Sequence, residues 1–315
     1  MDKKSFVFAT GGLGNQLFQL AAALGSKNRT LFVVPNQENA RKNNAGHLDI
    51  EDFLHGEEII ISRDYKLWKI SLKAINFTLR NFAGMKTNQS IRAFNTAVLF
   101  ATSFLLSLNL KTHVMAIANR GLGYDENIMR PGKYNFFIGY FQSFKFVERP
   151  EVIKTMRSMK LKTHSIVLEE FQSLSENEAP LVVHVRMGDY QDSDLFGILP
   201  KKYYEQAIEH LWRSGIYKKI WLFSDEPQKA INQIPEKYLN DVRVIPDFDN
   251  STPITFEVMR LGHGYVIANS SFSWWAASLA HFPNPDVVAP DVWFKKSGSP
   301  NQILPPDWIK VSAWK

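Results

Sequence analysis

The sequence contains no cysteine. That absence removes disulfide scaffolds, thiolate zinc sites, iron–sulfur clusters and cysteine nucleophiles from the classes open to the chain. A long apolar run is missing too. The most apolar stretch, Ala97–Leu110 (AVLFATSFLLSLNL), falls short of the roughly 20 residues a spanning helix needs and reads as a core helix or one lying in an interface. The eight histidines show neither His-x-x-x-His nor His-Glu-x-x-His spacing, so a zinc site has no support. Lys3 and Lys4 precede too short an apolar run for a signal peptide. A cytoplasmic location is therefore expected, and the sequons at Asn28, Asn76, Asn88, Asn250 and Asn269 carry no message without a secretory route. No internal repeat or low-complexity tract occurs.

What is present is ordinary globular composition: 45% apolar and 22% charged over 315 residues, a length that suits two domains of about 150 residues each. Its 37 basic and 31 acidic side chains leave a net charge of +6, unevenly placed. Between Ser62 and Arg120 stand nine basic residues (Arg63, Lys66, Lys69, Lys73, Arg80, Lys86, Arg92, Lys111, Arg120) and one acid, Asp64, so this window carries 9 − 1 = +8 and the rest of the chain 28 − 30 = −2. A wrapped nucleic-acid binder spreads its charge more widely, which argues against that class.

The N-terminus reads strand, glycine loop, helix: Phe6–Ala9, then Gly11–Gly14, then Asn15–Leu24. From about 37 to 130 no strand alternation is visible and the chain reads as helical and irregular. Two polar helical stretches between Glu148 and Pro180 form the expected inter-domain connection. Beyond them, apolar runs at Leu181–Val185, Lys219–Phe223, Val242–Ile245, Tyr265–Ala268 and Asp286–Ala289 alternate with helical patterns at Pro200–Arg213, Pro227–Ile234, Pro253–Leu261 and Phe272–His281. That alternation predicts an α/β fold, a parallel sheet with helices on both faces and ligands at the carboxyl ends of its strands. The expected organisation is an N-terminal α/β domain over 1–150 with a helical, basic insertion at about 62–120, a C-terminal α/β domain over 151–290, and a segment 291–315 packing back across the seam.

Four constellations can carry chemistry. In Gly11-Gly12-Leu13-Gly14-Asn15-Gln16 a glycine turn brings backbone N–H groups and a helix start toward an anion. As a dinucleotide fingerprint it fails, because Leu17 occupies the third glycine position and no acid follows Leu31–Val34. An ordinary βα turn is the competing reading. In His184-Val185-Arg186-Met187-Gly188-Asp189-Tyr190 an arginine leaves the carboxyl end of a strand, where it suits a bidentate grip on a phosphate. Asp189 is placed to pair with it or to act as a base, and a plain strand-end salt bridge is the alternative. Phe223-Ser224-Asp225-Glu226-Pro227 repeats the geometry one strand later, with Asp225 either a site residue or a bare helix cap. In Asn269-Ser270-Ser271-Phe272-Ser273-Trp274-Trp275 small hydroxyl residues open an apolar helix, a phosphate seat in type, with the tryptophans read as core. Asp192-Ser193-Asp194 and Asp247-Phe248-Asp249 are Asp-x-Asp triplets of the kind that chelates a divalent metal, and also of the kind found in surface loops.

Together and in this order, these elements resemble the family 11 glycosyltransferases, the α-1,2-fucosyltransferases. Gly11–Gln16 followed by Leu17, Phe18 and Gln19 is similar to the opening motif of the bacterial members. Gly139-Tyr140-Phe141-Gln142-Ser143 and Asn269–Trp275 match two further blocks, His184–Tyr190 matches H-x-R-R-G-D-Y at every fixed position but one, and Phe223–Glu226 approaches F-S-D-D. The resemblance implies a GT-B-like architecture of two Rossmann-like domains, the N-terminal one on the acceptor side and the C-terminal one holding the donor. It implies an inverting transfer of L-fucose from GDP-β-L-fucose to the 2-hydroxyl of a galactoside, with no cofactor and no bound metal. Arg186 would hold the diphosphate, supported by Ser270, Ser271 and Ser273. His184, Asp225, Asn269 and Phe272 would line the nucleotide pocket, with Gly12, Gly14 and Gln16 also counted as donor-binding. Asn15 would stand near the transferring sugar, and Asp189 is the expected base.

Two departures stand out: Met187 replaces the family's second arginine and Glu226 its second aspartate. Two other classes remain as alternatives, a metal-dependent glycosyltransferase with another nucleotide-sugar donor and a non-catalytic GDP-sugar or glycan-binding protein. The expected partners are a nucleotide sugar and an oligosaccharide or lipid-linked acceptor, with no nucleic acid. Within the basic window, Lys66, Lys69, Lys73 and Arg80 share one helical face opposite Leu67, Trp68, Leu72, Ile75, Leu79 and Phe82. A basic amphipathic helix of this kind reads as peripheral contact with anionic lipid at the inner face of a membrane, or as a solvated face over a core.

Overall fold

Short apolar runs, too brief for helices and bounded by glycine or polar turns, become parallel strands in both halves of the chain. The structure, a computed structural model, describes residues 4–26, 29–33, 48–54, 59–62, 72–78, 89–118, 124, 134–191, 193, 195–296 and 302–314. It divides into two units, one of residues 1–162 with 300–303, the other of 163–299 with 304–315.

The N-terminal unit holds strands β1 (Lys4–Phe8), β2 (Arg29–Val33), β3 (Ile59–Ser62), β4 (Met115–Ala118) and β5 (Tyr134–Ile138) in the order β3-β2-β1-β5-β4. All pairs are parallel, with Phe6 between Leu31 and Phe136 in register. Helix α1 (Leu13–Leu24) follows β1 and is buried along almost its whole length, as its LFQLAAAL run requires. Helices α2 (72–78) and α3 (Gln89–Leu110) supply Leu72, Ile75 and Leu106 to a core shared with Phe6, Phe8, Val114, Phe136 and Ile138. Helix α4 (Pro150–Ser158) packs against α1.

The C-terminal unit opens with α5 (Ile166–Glu178) and a six-stranded sheet: β6 (Leu181–Val185), β7 (Ile220–Ser224), β8 (Val242–Val244), β9 (Gly264–Val266), β10 (Asp286–Pro290) and β11 (Ile309–Val311). The order β11-β10-β9-β6-β7-β8 is the doubly wound arrangement, parallel throughout, and the direction of winding reverses between β6 and β9. Helices α6 (Lys201–Trp212), α7 (Pro227–Ala230), α8 (Thr252–Met259) and α9 (Ser271–Ser278) cross between strands. Leu181, Val183 and Val185 of β6 join Tyr203, Tyr204, Leu211, Leu222 and Val266 in the core.

One expectation is corrected here, and two details are added to the expected domain plan. Strands do occur between 37 and 130: β3 is Ile-Ile-Ile-Ser and β4 Met-Ala-Ile-Ala, runs whose parallel pairing produces no alternating pattern to read. The N-terminal unit runs past residue 150 to Lys162, because α4 packs on α1. Within 291–315, Ile309–Val311 is the edge strand of the C-terminal sheet.

Candidate functional site

In the C-terminal sheet the winding reversal opens a crevice at the carboxyl ends of β6 and β9. Arg186 leaves β6 there. Its Nη1 lies 3.1 Å from Oδ2 of Asp225, which follows β7, with both side chains partly exposed. The other Asp225 oxygen accepts the Met187 N–H at 2.9 Å. Asp225 is thus no bare helix cap; the cap position of α7 belongs to Glu226, with Pro227 opening the helix. Gly188 fits because a Cβ there would stand 2.5 Å from Asp225 Oδ2. The Arg186 guanidinium also lies over the Tyr190 ring, 5.6 Å from its centroid, and that ring stacks on Phe196 at 4.7 Å.

His184 is the penultimate residue of β6, 5% exposed, with Phe272 6.3 Å away ring to ring. Its Nδ1 is buried without a hydrogen-bond partner. Burial first and the Arg186 charge second pull its pKa down to about 3, against an opposing pull from Asp225. The imidazole is therefore neutral.

The turn from β9 into α9 is built by its own side chains. Ser270 caps α9, its Oγ accepting the Phe272 N–H at 3.3 Å, and buried Ser273 donates to the Ser270 carbonyl at 3.3 Å. Asn269, 1% exposed, donates to the carbonyls of Phe196 and Trp293, both at 3.1 Å, and its own carbonyl accepts from Tyr190 Oη at 3.1 Å. Asn269, Ser270 and Ser273 therefore shape the turn, while Ser271 and Phe272 are its half-exposed residues. Trp274 and Trp275 are core, as read from the sequence.

The sheet of the N-terminal unit also reverses, between β1 and β5, and its two motif loops meet at that point. Gln142 Nε2 donates to Asn15 Oδ1 at 2.8 Å, and Gln142 Oε1 is buried without a partner. Gly11, at φ +75°, faces Asn15 closely: a Cβ would come within 2.4 Å of its amide nitrogen. Gln16 ties the loop together, donating to the Gly11 carbonyl at 2.8 Å and accepting the Ile50 N–H at 3.1 Å. Gln19 joins both loops through Thr10 and the Gly139 carbonyl. Gly12 accepts the N–H groups of Asn15 and Gln16, and Gly14 is buried in the first turn of α1. The sequence motifs alone give Gln142 no role at the site; its place right after an apolar run, in the block that follows the glycine loop in motif order, is the signal that finds it.

Met187 packs into the core beneath β6, so the residue at the family's second arginine position faces inward. Glu226 pairs with Lys229 and accepts from Gln191 at the surface. Asp189 lies in a short 3-10 turn, Gly188–Tyr190; its side chain is outside the described part of the structure. Asp192 and Asp194 are also outside it. Asp247 caps its own turn through the Asn250 N–H.

Two parallel sheets, each with polar residues gathered where its winding reverses, define a GT-B-type α/β fold. The family model described as glycosyl transferase family 11 matches residues 123–311, and the chain belongs to that family. It is a glycosyltransferase. It is similar to an alpha-1,2-colitosyltransferase of Escherichia coli, 25% identical over 320 residues and 96% of both chains. It is also similar to the O-antigen biosynthesis glycosyltransferase WbnK of Escherichia coli, 30% identical over 142 residues, 44% of this chain and 46% of that one. Among solved structures, the NodZ alpha-1,6-fucosyltransferase soaked with GDP-fucose shares the fold at a TM-score of 0.50 and 14% identity, covering 89% of this chain and 93% of that one.

Proposed function

We propose that this glycosyltransferase moves L-fucose from GDP-β-L-fucose to the 2-hydroxyl of a galactoside, inverting to an α-1,2 linkage. The observation that carries the reading is the cluster at the β6–β9 crevice: a partly exposed Arg186 steadied by Asp225, beside a neutral His184 with an orphaned nitrogen. Arg186 grips the diphosphate and stabilises its charge as it leaves, with the start of α9 in support. His184 and Phe272 line the nucleotide pocket. Asp189 takes the acceptor proton, and Asn15, oriented by Gln142, stands near the transferring sugar. Gly12, where a Cβ would meet open space, and Gly14 are donor-binding positions. No metal takes part, so transfer persists in EDTA. The acceptor is an oligosaccharide or a lipid-linked glycan, and the basic segment 62–120 holds the protein at the inner face of a membrane.

A second reading changes only the sugar. One relative is named an alpha-1,2-colitosyltransferase, and colitose is L-fucose without its 3-hydroxyl. A transfer assay with GDP-fucose and GDP-linked colitose against β-galactosides separates the two: preference for the fucosyl donor supports the first reading, and exclusive use of the colitosyl donor replaces it. Unchanged turnover in Asp189→Asn would remove the base assignment.

A further inference from the structure

Helix α3 buries Leu106 in the core but also turns hydroxyl residues inward and aromatic residues outward. Three of its hydroxyl residues face the protein: Thr102, 1% exposed, bonds Thr78 of α2 at 2.8 Å, Ser103 accepts the Ala116 N–H at 3.0 Å, and Ser107 accepts the Val114 N–H at 2.9 Å. Its aromatic residues face outward: Phe94, Phe100 and Phe104 are 52%, 74% and 64% exposed, and Leu108 is 59% exposed. A helix solvated by water carries the opposite arrangement. The patch continues onto α2, where the half-exposed Phe77 ring meets Phe94 at 6.3 Å. With 22 residues, α3 runs for about 33 Å, yet no helix among the described residues is long and apolar enough to cross a membrane.

Charge decides what covers this face. Helix α3 has no acidic residue, exposed Lys73 and Lys111 flank the patch, and the surrounding segment carries +8. A second copy of the chain would bring two such segments together with no acid on the helix to offset them. An anionic surface meets both the charge and the apolar stripe.

We propose that α3 lies in the plane of an anionic lipid bilayer, with Phe100, Phe104 and Leu108 at the boundary between headgroups and acyl chains. This rests on the reading that the basic segment meets a membrane, and it names the element that inserts. The chain has no cysteine, so Phe104→Cys gives a unique site for an environment-sensitive fluorophore. With phosphatidylglycerol vesicles at low salt its emission should brighten and shift to the blue, and with phosphatidylcholine vesicles it should not. The same label at Ile166→Cys on α5, where Ile166 is 77% exposed, should stay unchanged. Phe100→Ser combined with Phe104→Ser should weaken co-sedimentation with the anionic vesicles about tenfold or more, leaving turnover of a soluble acceptor unaltered. Vesicle binding with a silent Phe104 label would overturn the α3 assignment and leave the membrane reading of the basic segment standing. Absence of any vesicle binding would overturn both. A lipid-independent dimer in ultracentrifugation, with a label response that follows protein concentration, would give the face to a second copy instead.

Discussion

Arg186 is held on two sides, by the Asp225 carboxylate and by the Tyr190 ring, so its guanidinium is oriented before any ligand arrives. Arg186→Ala should therefore cut transfer by about a hundredfold or more, and Arg186→Lys, which keeps the charge without the fork, should recover only part of it. Gly188→Ala makes the subtler test. Its methyl displaces Asp225, so GDP affinity should fall in a titration while the melting temperature barely moves. His184 gives a pH signature. Its folded pKa near 3 lies below the ordinary 6.5, so between those values the unfolded chain binds a proton that the folded chain refuses. The stability it contributes is complete above about 6.5 and falls as pH drops toward 3, with a slope approaching about 1.4 kcal/mol per pH unit. Urea unfolding at pH 7.5 and 5 should show this slope, and His184→Asn should flatten it. Asn15 and Gln142 should couple by about 1 kcal/mol in a double-mutant cycle on transfer.

At the scale of elements, what positions the site is the entry into α9 and the layer beneath it. Ser270→Ala removes the cap of α9 and should cost about 1 kcal/mol in chemical denaturation. Below, the end of α8 holds a buried pair, Glu257 of the helix with Arg260 at its C-cap, 4% and 3% exposed, with Arg260 also donating to the Leu279 carbonyl at 2.8 Å. Burial alone would raise the Glu257 pKa; the hydrogen bond from His281 and the Arg260 charge outweigh it and hold it low. Arg260→Met would leave that carboxylate buried with His281, 3.3 Å away, as its remaining partner, a loss of about 3 kcal/mol. Elements differ in how far the chain reveals them. Leu181–Val185 is read to the residue because it is a clean apolar run between Pro180 and a polar exit. β3 and β4 escape notice because four-residue runs inside a helical, basic segment lack a period to measure. Arg186 and Asp225 announce themselves by standing at strand ends. The tasks of Gln16, Asn269 and Ser273 do not, because their partners are backbone groups fixed only by the fold.

Across the whole molecule, the net charge of +6 separates into parts with different work. Arg186, outside the basic window, stands at the end of β6 in the C-terminal unit, and the +8 belongs to the stretch of sequence that contains α3. Loss of activity in EDTA would show that a metal bridges the diphosphate in place of Arg186 and the α9 turn; retained activity is the predicted outcome. The central claim is that the β6–β9 crevice carries a GDP-sugar whose sugar leaves for a galactoside 2-hydroxyl. Its most direct test is transfer from GDP-fucose, in EDTA, to a panel of β-galactosides, with the product linkage determined by NMR and Arg186→Ala run alongside. The account predicts an α-1,2-fucosylated product that disappears in the variant. A product of another linkage, or full activity in the variant, would contradict it.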